Sequence, residues 1–370
     1  MSTIESRLQR ALDAVARYAA LGAAIAVEIA GERHATIGAG FRDVDRSAAF
    51  QPDLLYQIGS QTKMFVAGGI LLLVKDGALA LEDDLNHVLP EALALTGGQP
   101  ITIEQLLTHS SGLGNYTELM TLRGGFMAGW PVPTYTDDDL FALSKAMGFA
   151  FLPGRDVAYS NTGFILLGRI IERLSGEAST AFLKRRLLDP LGMSDTYFAR
   201  GGVWPRERTA TGGIIRPASP LGETVQADDP PDLSWASSAG DIISSLDQLL
   251  RFANVLMSRN SPLPIGLADF MARPVPLTAP WVNSDLVRTY GYGMVEVDFN
   301  GRAWWGHRGG TATHRTGTFC CPELDASIAM ATTCIVDPRI PAKSEAVRDH
   351  IRLTLSLAAY EVERIVESKA

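Results

Sequence analysis

A serine and a lysine stand three positions apart at the front of a long apolar segment. Ser60 and Lys63 belong to SQTKMFVAGGILLLV, in which nearly every residue after the lysine is apolar. Residues three apart on a helix face the same side, with Cβ atoms about 5–6 Å apart. The pattern therefore predicts an amine beside a hydroxyl at the mouth of a buried helix.

These surroundings predict unusual proton chemistry for the pair. Burial among Met64, Phe65 and Val66 would disfavour the charged form of Lys63 and lower its pKa. A neutral amine can take the proton of Ser60 and make the serine a nucleophile. Backbone N–H groups at the start of the helix would stabilise the negative charge that develops.

The choice of lysine supports this interpretation. Of the 33 basic residues only six are lysine, so the chain uses arginine for most of its cations. Arginine does not release its proton in a protein, whereas lysine can. The spacing also arises by chance, so the pair alone is a weak signal.

A second motif, Tyr159-Ser160-Asn161, comes directly before a predicted helix. The tyrosine could relay protons with Lys63, and the Asn161 amide could orient the lysine and a substrate carbonyl. The structural alternative is a turn tyrosine followed by an asparagine that caps the helix.

A third motif, WWGHRGG, places His307, Arg308, Gly309 and Gly310 at the end of a predicted strand. Glycines there would let a substrate approach the strand edge. The Gly310 N–H could complete an oxyanion hole with the N–H of Ser60. The structural alternative is a strand-end histidine followed by a turn.

Capping residues and periodicity predict the elements that position these groups. The helix beginning near Ser60 should end at Asp76-Gly77, and the helix after Tyr159 should end at Gly176. Asn300-Gly301 predicts the turn of a hairpin. In addition, Thr102-x-x-Gln105 and Ser245-x-x-Gln248 predict helix starts, the first hairpin is expected to turn around Gly31-Glu32-Arg33, and residues 342–369 predict a long amphipathic helix.

Strand patterns at both ends of the chain surround a helical middle, which predicts an α+β fold. We expect an antiparallel β-sheet flanked by helices, built from residues 1–80 and 235–370. Residues 81–234 would form an inserted, mostly helical subdomain with an irregular connection over 199–234. A cleft between the two parts would hold a small-molecule site.

Composition limits the partners. The net charge of −8 disfavours nucleic acid and anionic membranes. Charges of both signs in the first 17 residues do not resemble a signal peptide. The apolar residues 19–30 include Glu28 and are too few to cross a bilayer. The sequence therefore predicts a cytoplasmic protein without a nucleic-acid or membrane partner, and its oligomeric state is left open.

The three cysteines, Cys320, Cys321 and Cys334, are odd in number and lack CxxC spacing. This opposes a disulfide framework or a zinc site and predicts buried, reduced thiols. The absence of G-x-S-x-G, H-E-x-x-H, P-loop and G-x-G-x-x-G motifs disfavours the other common hydrolase and nucleotide-binding classes.

In this order, S-Q-T-K, Y-S-N and H-R-G resemble the motifs of the serine penicillin-recognising family, which includes β-lactamases, DD-peptidases and related esterases and amidases. The tyrosine and the histidine are similar to the branch of class C β-lactamases, DD-carboxypeptidases, D-aminopeptidases, D-amino-acid amidases and family VIII esterases. Phrases such as ITIEQLLTHSSGL and LLDPLGMSDTYF extend the resemblance over roughly residues 20–335.

The resemblance implies the β-lactamase/transpeptidase-like fold and acyl transfer through a serine ester, without a metal or an organic cofactor. It implies Ser60 as nucleophile, Lys63 as its base and Tyr159 as proton relay. Asn161 would be the orienting amide and His307 the third-motif residue. A small amide or ester is the implied substrate.

The third motif departs from that of most β-lactamases, which have lysine at the position of His307 and serine or threonine at the position of Gly310. The family uses that cation and hydroxyl to hold the penicillin carboxylate. We therefore expect D-amino-acid amides, peptides or carboxylic esters as substrates, with β-lactamase and DD-carboxypeptidase activity as alternatives. Arg308 or Arg315 could replace the missing cation.

Further pocket residues are expected. Tyr116, the loop around Trp130 and the irregular segment 199–234 should set the shape of the pocket, and Gly309 should contact the substrate. The resemblance implies His314 as a candidate for the lining, because the similar amidases also carry a histidine a few residues after the third motif. A protein of another class, an acyl trap that does not turn over, stays open beside the hydrolase, as does an acyltransferase.

Overall fold

The structure is a computed structural model that describes residues 3–18, 20–122, 134–200, 202–215, 224–226, 233–276, 287–336 and 342–369. Its helices are α1 (Ile4–Tyr18), α2 (Thr62–Lys75), α3 (Leu85–Val88), α4 (Leu93–Thr96), α5 (Ile103–Leu107), α6 (Tyr116–Leu122), α7 (Asp137–Met147), α8 (Asn161–Ser175), α9 (Ser179–Leu183), α10 (Leu246–Met257), α11 (Leu267–Phe270) and α12 (Ala342–Lys369).

The strands are β1 (Gly22–Ile29), β2 (Glu32–Gly40), β3 (Tyr56–Gln57), β4 (Thr196–Phe198), β5 (Gly213–Ile215), β6 (Thr224–Gln226), β7 (Ile242–Ser244), β8 (Val275–Pro276), β9 (Val287–Tyr290), β10 (Val295–Phe299), β11 (Arg302–Gly310), β12 (His314–Cys321), β13 (Ala326–Thr333) and β14 (Ile335–Val336). An eight-stranded antiparallel sheet has the order β2-β1-β13-β12-β11-β10-β9-β8. The short strands β14-β5-β6 and β3-β7-β4 form two further sheets.

The two ends of the chain meet in the large sheet. Strand β1 pairs with β13 in a register that runs from Gly22 opposite Thr333 to Ile29 opposite Ala326. The sheet was predicted to join strands from the two ends of the chain. The antiparallel pairing of β1 with β13, about 300 positions apart, confirms this prediction. The division of the chain into two domains stays a prediction.

Period-two alternation lets helices cover both faces of this sheet. Ala24 and Ala26 of β1 pack in the core that contains α2, whereas Ile25 and Val27 pack in the core that contains α1 and α12. Successive side chains of a strand point to opposite faces, so a strand covered on both sides is apolar throughout. Helix α2 lies in the interior and is buried from Thr62 to Leu73.

Local signals placed most element ends correctly. Thr102 and Gln105 form the predicted capping box, Ser245 caps α10, and Gly176 ends α8 in the left-handed conformation. Asn300 and Gly301 both have positive φ in the predicted hairpin turn. The first hairpin turns at Ala30-Gly31, slightly earlier than predicted, because Ala30 also adopts positive φ.

The helix expected to begin near Ser60 begins later. A 3₁₀ turn spans Gly59–Gln61, and the α-helix starts at Thr62. Within the connection 199–234, the described residues include the short strands β5 and β6. Trp130 lies outside the described residues. Across the part of the chain that the structure describes, no helix has both the length and the apolarity to cross a bilayer.

Candidate active site

Ser60 is half-buried in the 3₁₀ turn that leads into α2, where the backbone meets the end of strand β11. Gly59 has a φ of +54°, and a Cβ atom built on it would lie 2.6 Å from the backbone nitrogen of Gly310. Only glycine allows both that conformation and that approach. The close contact brings the backbones of Ser60 and Gly310 side by side, as an oxyanion hole would require.

Strand β11 also needs glycine one residue earlier. A Cβ atom on Gly309 would lie 1.7 Å from the carbonyl oxygen of Ile58. Thr316 on the neighbouring strand donates its hydroxyl hydrogen bond to the same carbonyl at 3.0 Å. The segment before Ser60 is therefore held against the strand that carries the third motif.

The amine of Lys63 is completely buried and contacts three oxygen atoms. Its Nζ atom lies 2.7 Å from Oδ1 of Asn161 and 2.7 Å from the carbonyl oxygen of Ala239. Ser60 Oγ is 3.2 Å away. Burial lowers the pKa of Lys63 well below the usual lysine value, because the charged form loses its hydration.

For a neutral Lys63, these contacts assign the protons in the resting site. A neutral amine has two N–H bonds and one lone pair, and the two N–H bonds are used by Asn161 and Ala239, which can only accept. The lone pair of Lys63 is then left for the hydroxyl hydrogen of Ser60. The serine in turn accepts a hydrogen bond of 2.6 Å from the phenol of Tyr159.

Tyr159 keeps its proton in this arrangement. Burial raises the pKa of its phenol, and the hydrogen bond to Ser60 offsets only part of that effect. Lys63 Nζ lies 4.8 Å from the centre of the Tyr159 ring. With the pKa of the amine lowered and that of the phenol raised, Lys63 is suited to act as base and Tyr159 as proton donor.

Asn161, the first residue of α8, is oriented by two residues that the sequence interpretation missed. Its Nδ2 atom donates to Oδ1 of Asn115 and to Oγ1 of Thr117, both at 3.2 Å. The amide oxygen must then face Lys63. The segment GNYT that carries Asn115 and Thr117 has no motif of its own, so local pattern gave no signal for this contact.

The carbonyl of Ala239 is held by a partly buried polar cluster around Arg200. The guanidinium donates to Asp241 and to Ser237 at 2.7 Å each, on either side of Ala239. Ser237 has a φ of +45° and donates to Asp137 of α7 at 2.5 Å. These contacts fix the turn that presents the Ala239 oxygen to Lys63.

His307 is buried as a neutral imidazole. Its Nδ1 atom contacts the backbone carbonyl of Arg308, which can only accept, so Nδ1 carries the proton. Nε2 then accepts from the phenol of Tyr290 at 3.2 Å. Burial lowers the pKa of His307 to about 3, because the charged imidazolium would lose its hydration. The imidazole cannot replace a lysine as a cation for a substrate carboxylate.

A cavity of about 220 Å³ opens beside Ser60 and Tyr159. The third-motif residues Arg308, Gly309 and Gly310 line it, as does Arg315. The remaining lining consists of three apolar residues, Val287, Val295 and Ile351, together with His307 and Thr316. The site thus combines the Ser60 hydroxyl with an apolar pocket and two arginines.

Two other candidate pocket residues lie outside the described lining of this cavity, and their role stays a prediction. His314 is buried, with Nε2 at 3.0 Å from the Ala210 carbonyl oxygen and Nδ1 at 3.2 Å from the Thr313 hydroxyl. These bonds hold the ring away from the cavity, whose described lining does not include it. Tyr116 is also buried outside that lining, since its phenol donates to the Trp235 carbonyl at 2.7 Å.

The three cysteines, which could form disulfides or bind a metal, are all described. Cys320, Cys321 and Cys334 are buried and not joined by disulfides. Within the described ranges, no three His, Cys, Asp or Glu side chains are grouped so that they could hold a metal ion.

Comparison with known proteins relates this site to a family. A family model described as Beta-lactamase matches residues 6–349. Penicillin-binding protein 4* of Bacillus subtilis (strain 168) is 32% identical over 160 residues, which cover 42% of this chain and 33% of that protein. The match therefore spans about a third of that relative's length.

Solved structures show the same fold. D-amino acid amidase from Ochrobactrum anthropi SV3, complexed with L-phenylalanine amide, superposes with a TM-score of 0.84 at 23% identity and covers 99% of both chains. A D-stereospecific amidohydrolase from Streptomyces sp. has a TM-score of 0.75 at 26% identity, covering 89% of this chain and 94% of that one. These likenesses confirm the predicted antiparallel sheet flanked by helices.

Proposed function

Because the chain belongs to the β-lactamase family, we propose that it is a serine hydrolase that cleaves small amides or esters through an acyl-Ser60 intermediate. One observation carries this proposal. Ser60 Oγ lies between the Tyr159 phenol at 2.6 Å and the buried Lys63 amine at 3.2 Å. A hydroxyl so placed can lose its proton to the amine while it forms a new bond to carbon.

Acylation would proceed as follows. Ser60 Oγ bonds to the substrate carbonyl carbon, and its proton moves to Lys63 Nζ. The negative charge on the carbonyl oxygen is stabilised by the N–H groups of Ser60 and Gly310. The bond to the leaving group then breaks, and the leaving nitrogen or oxygen takes a proton through Tyr159, which is replenished from Lys63.

Hydrolysis of the ester would use the same groups. Water bonds to the acyl carbon and gives a proton to the Lys63–Tyr159 pair. The bond from carbon to Ser60 Oγ breaks, the acid leaves, and the serine regains a proton. An amine or an alcohol in place of water would give acyl transfer, since deacylation requires only a nucleophile.

Among substrates, we favour amides or esters of small, partly apolar acids, with D-amino-acid amides foremost. The cavity of about 220 Å³ suits a small acyl group, and Val287, Val295 and Ile351 give it apolar walls. The likeness to the Streptomyces amidohydrolase, at 26% identity, supports amide cleavage. The neutral His307 does not supply the cation expected at the third motif of most β-lactamases.

A second candidate, cleavage of β-lactams or of peptides with a terminal carboxylate, is favoured by Arg308 and Arg315, which line the same cavity. Guanidinium groups bind carboxylates with good geometry. Against this, Nη1 of Arg315 already donates to the backbone carbonyl of His314 at 2.7 Å and also contacts that of Thr311. These bonds restrict its reach towards a ligand.

A substrate panel tests the proposal and separates its variants. Short p-nitrophenyl esters, D- and L-phenylalanine amide and nitrocefin would each be offered to the wild type and to Ser60→Ala. Steady turnover by the wild type alone supports the hydrolase, and the preferred substrate selects the class. Release of one equivalent without turnover would instead identify an acyl trap. Turnover by Ser60→Ala would refute the proposal.

A further inference from the structure

His109 packs against the ring of Tyr159 and bonds to the residues on either side of it. The centres of the two rings are 4.5 Å apart. His109 also packs against Tyr290 at 4.6 Å and Phe164 at 5.2 Å, and it is buried. It follows α5 in the segment QLLTHSSGL, about 50 positions before Tyr159, and none of the chemistry above uses it.

The residues before and after Tyr159 both donate a backbone hydrogen bond to this histidine. The N–H of Ala158 donates to the His109 carbonyl oxygen at 3.0 Å. The N–H of Ser160 donates to His109 Nδ1 at 3.2 Å. The peptide unit after the tyrosine and the one before Ala158 are therefore both held by a single residue.

The backbone of His109 departs from ordinary geometry to make these contacts. Its φ is +59°, in the left-handed region. A residue with a Cβ atom occupies this region at a cost of roughly 1–2 kcal/mol. Such strain persists where surrounding contacts over-determine it, often near functional sites.

The imidazole must be neutral to serve in this way. Nδ1 accepts the Ser160 N–H and so cannot carry a proton. Burial lowers the pKa of His109 well below its usual value, which favours the uncharged ring.

We infer that His109 is a positioning residue that fixes the Tyr159 phenol on Ser60 through the hydrogen bond from the Ser160 N–H to Nδ1. This inference rests on the proposed function, because it concerns the proton donor of that reaction. A misplacement of about 1 Å in such a group can cost roughly 100-fold in rate.

Two variants isolate the hydrogen bond. His109→Gly keeps the left-handed backbone without strain and removes the acceptor. His109→Asn also tolerates the left-handed region and carries Oδ1 where the histidine carries Nδ1, so it can accept the Ser160 N–H. His87→Asn, at an exposed histidine of α3, is the matched control.

The measurement is kcat per folded molecule. We expect kcat of His109→Gly to fall about 100-fold, with KM within about threefold of the wild type. The kcat of His109→Asn should be about tenfold higher than that of the glycine variant. His87→Asn should match the wild type. If the glycine and asparagine variants lose rate equally, or if both keep the wild-type kcat and only melt at lower temperature, the inference is overturned.

A crystal structure of His109→Gly decides the inference independently of turnover. We expect the distance from the Tyr159 phenol to Ser60 Oγ to lengthen beyond hydrogen-bond range, and to remain near 2.6 Å in His109→Asn. An unchanged distance in the glycine variant would contradict the inference. If the wild type hydrolyses no substrate in the panel, the proposed function fails, yet these distances still test the role of His109.

Discussion

The buried amine of Lys63 donates a hydrogen bond of 2.7 Å to the backbone carbonyl of Ala239. Together with the equally short bond to Asn161, this contact uses both N–H bonds of a neutral amine. The lone pair is left for Ser60. Lys63 is therefore placed to accept a proton, and a permanently charged residue could not replace it.

Lys63→Arg tests that reasoning. Arginine keeps a positive charge but cannot give up its proton. We expect kcat/KM to fall by roughly 10²–10⁴, the usual contribution of a general base. The measurement is ester hydrolysis at saturating and limiting substrate, with circular dichroism to verify folding. A folded arginine variant with near wild-type rates would show that Lys63 only fills space.

Lys63→Met tests the protonation state through stability. The folded pKa of Lys63 is lowered, so just below the ordinary lysine pKa of about 10.4 the unfolded chain binds one more proton than the folded one. Stability must then rise with pH across that range by about 1.4 kcal/mol per pH unit from this group, and fall as pH decreases. The methionine variant should lack this contribution.

Urea unfolding at several pH values between neutrality and pH 10 gives both slopes. The wild-type free energy of unfolding should rise more steeply with pH than that of Lys63→Met. Equal slopes would mean that the folded protein keeps a charged ammonium at residue 63.

Asn161→Asp should move the pH dependence of the reaction. A carboxylate at 2.7 Å from Nζ favours the ammonium and raises the pKa of Lys63. The base must be unprotonated to act, so the ascending limb of kcat/KM should shift to higher pH, by roughly 1–3 units. Asn260→Asp adds the same charge at an exposed position and should leave the limb in place. No shift in Asn161→Asp would separate this amide from the proton transfer.

Alanine should destabilise the protein more at the first glycine of the third motif than at the second. Gly309→Ala places a Cβ atom 1.7 Å from the Ile58 carbonyl oxygen, and we expect a loss of at least 1–3 kcal/mol. In Gly310→Ala the nearest neighbour of the new Cβ atom, Cδ of Arg315, would be 3.5 Å away, so the change should stay within about 0.5 kcal/mol. Thermal melting of both variants gives the answer. Equal melting temperatures would show that the close approach at Gly309 relaxes without cost.

Short-range pattern predicted the groups that are close in sequence or share one helix start. Ser60 and Lys63 are three positions apart, and Tyr159 and Asn161 precede and begin α8. Period-two strands at both chain ends predicted the sheet, because only pairing between them could cover their apolar faces. The structure brings these four side chains together as the sequence interpretation expected, and their catalytic roles stay predictions.

Contacts between distant segments were not predictable in this way. Ala239 reaches Lys63 with a backbone carbonyl 176 positions away, and a carbonyl leaves no trace in residue type. His109 acts on Ser160 across 51 positions and reads locally as the end of a helix. The resemblance to amidases implied His314 in the pocket, and the structure places its ring against the Ala210 carbonyl, outside the described lining of the cavity.

The most direct test of an acyl-Ser60 intermediate is to trap the modified enzyme and locate the ester in the chain. Wild type and Ser60→Ala would be treated with a fluorophosphonate and with a slow p-nitrophenyl ester, then analysed by intact mass and peptide mapping. We predict one added group per wild-type chain, on the peptide that contains Ser60, and none on the alanine variant. Labelling of another residue, or equal labelling of both proteins, would contradict the account.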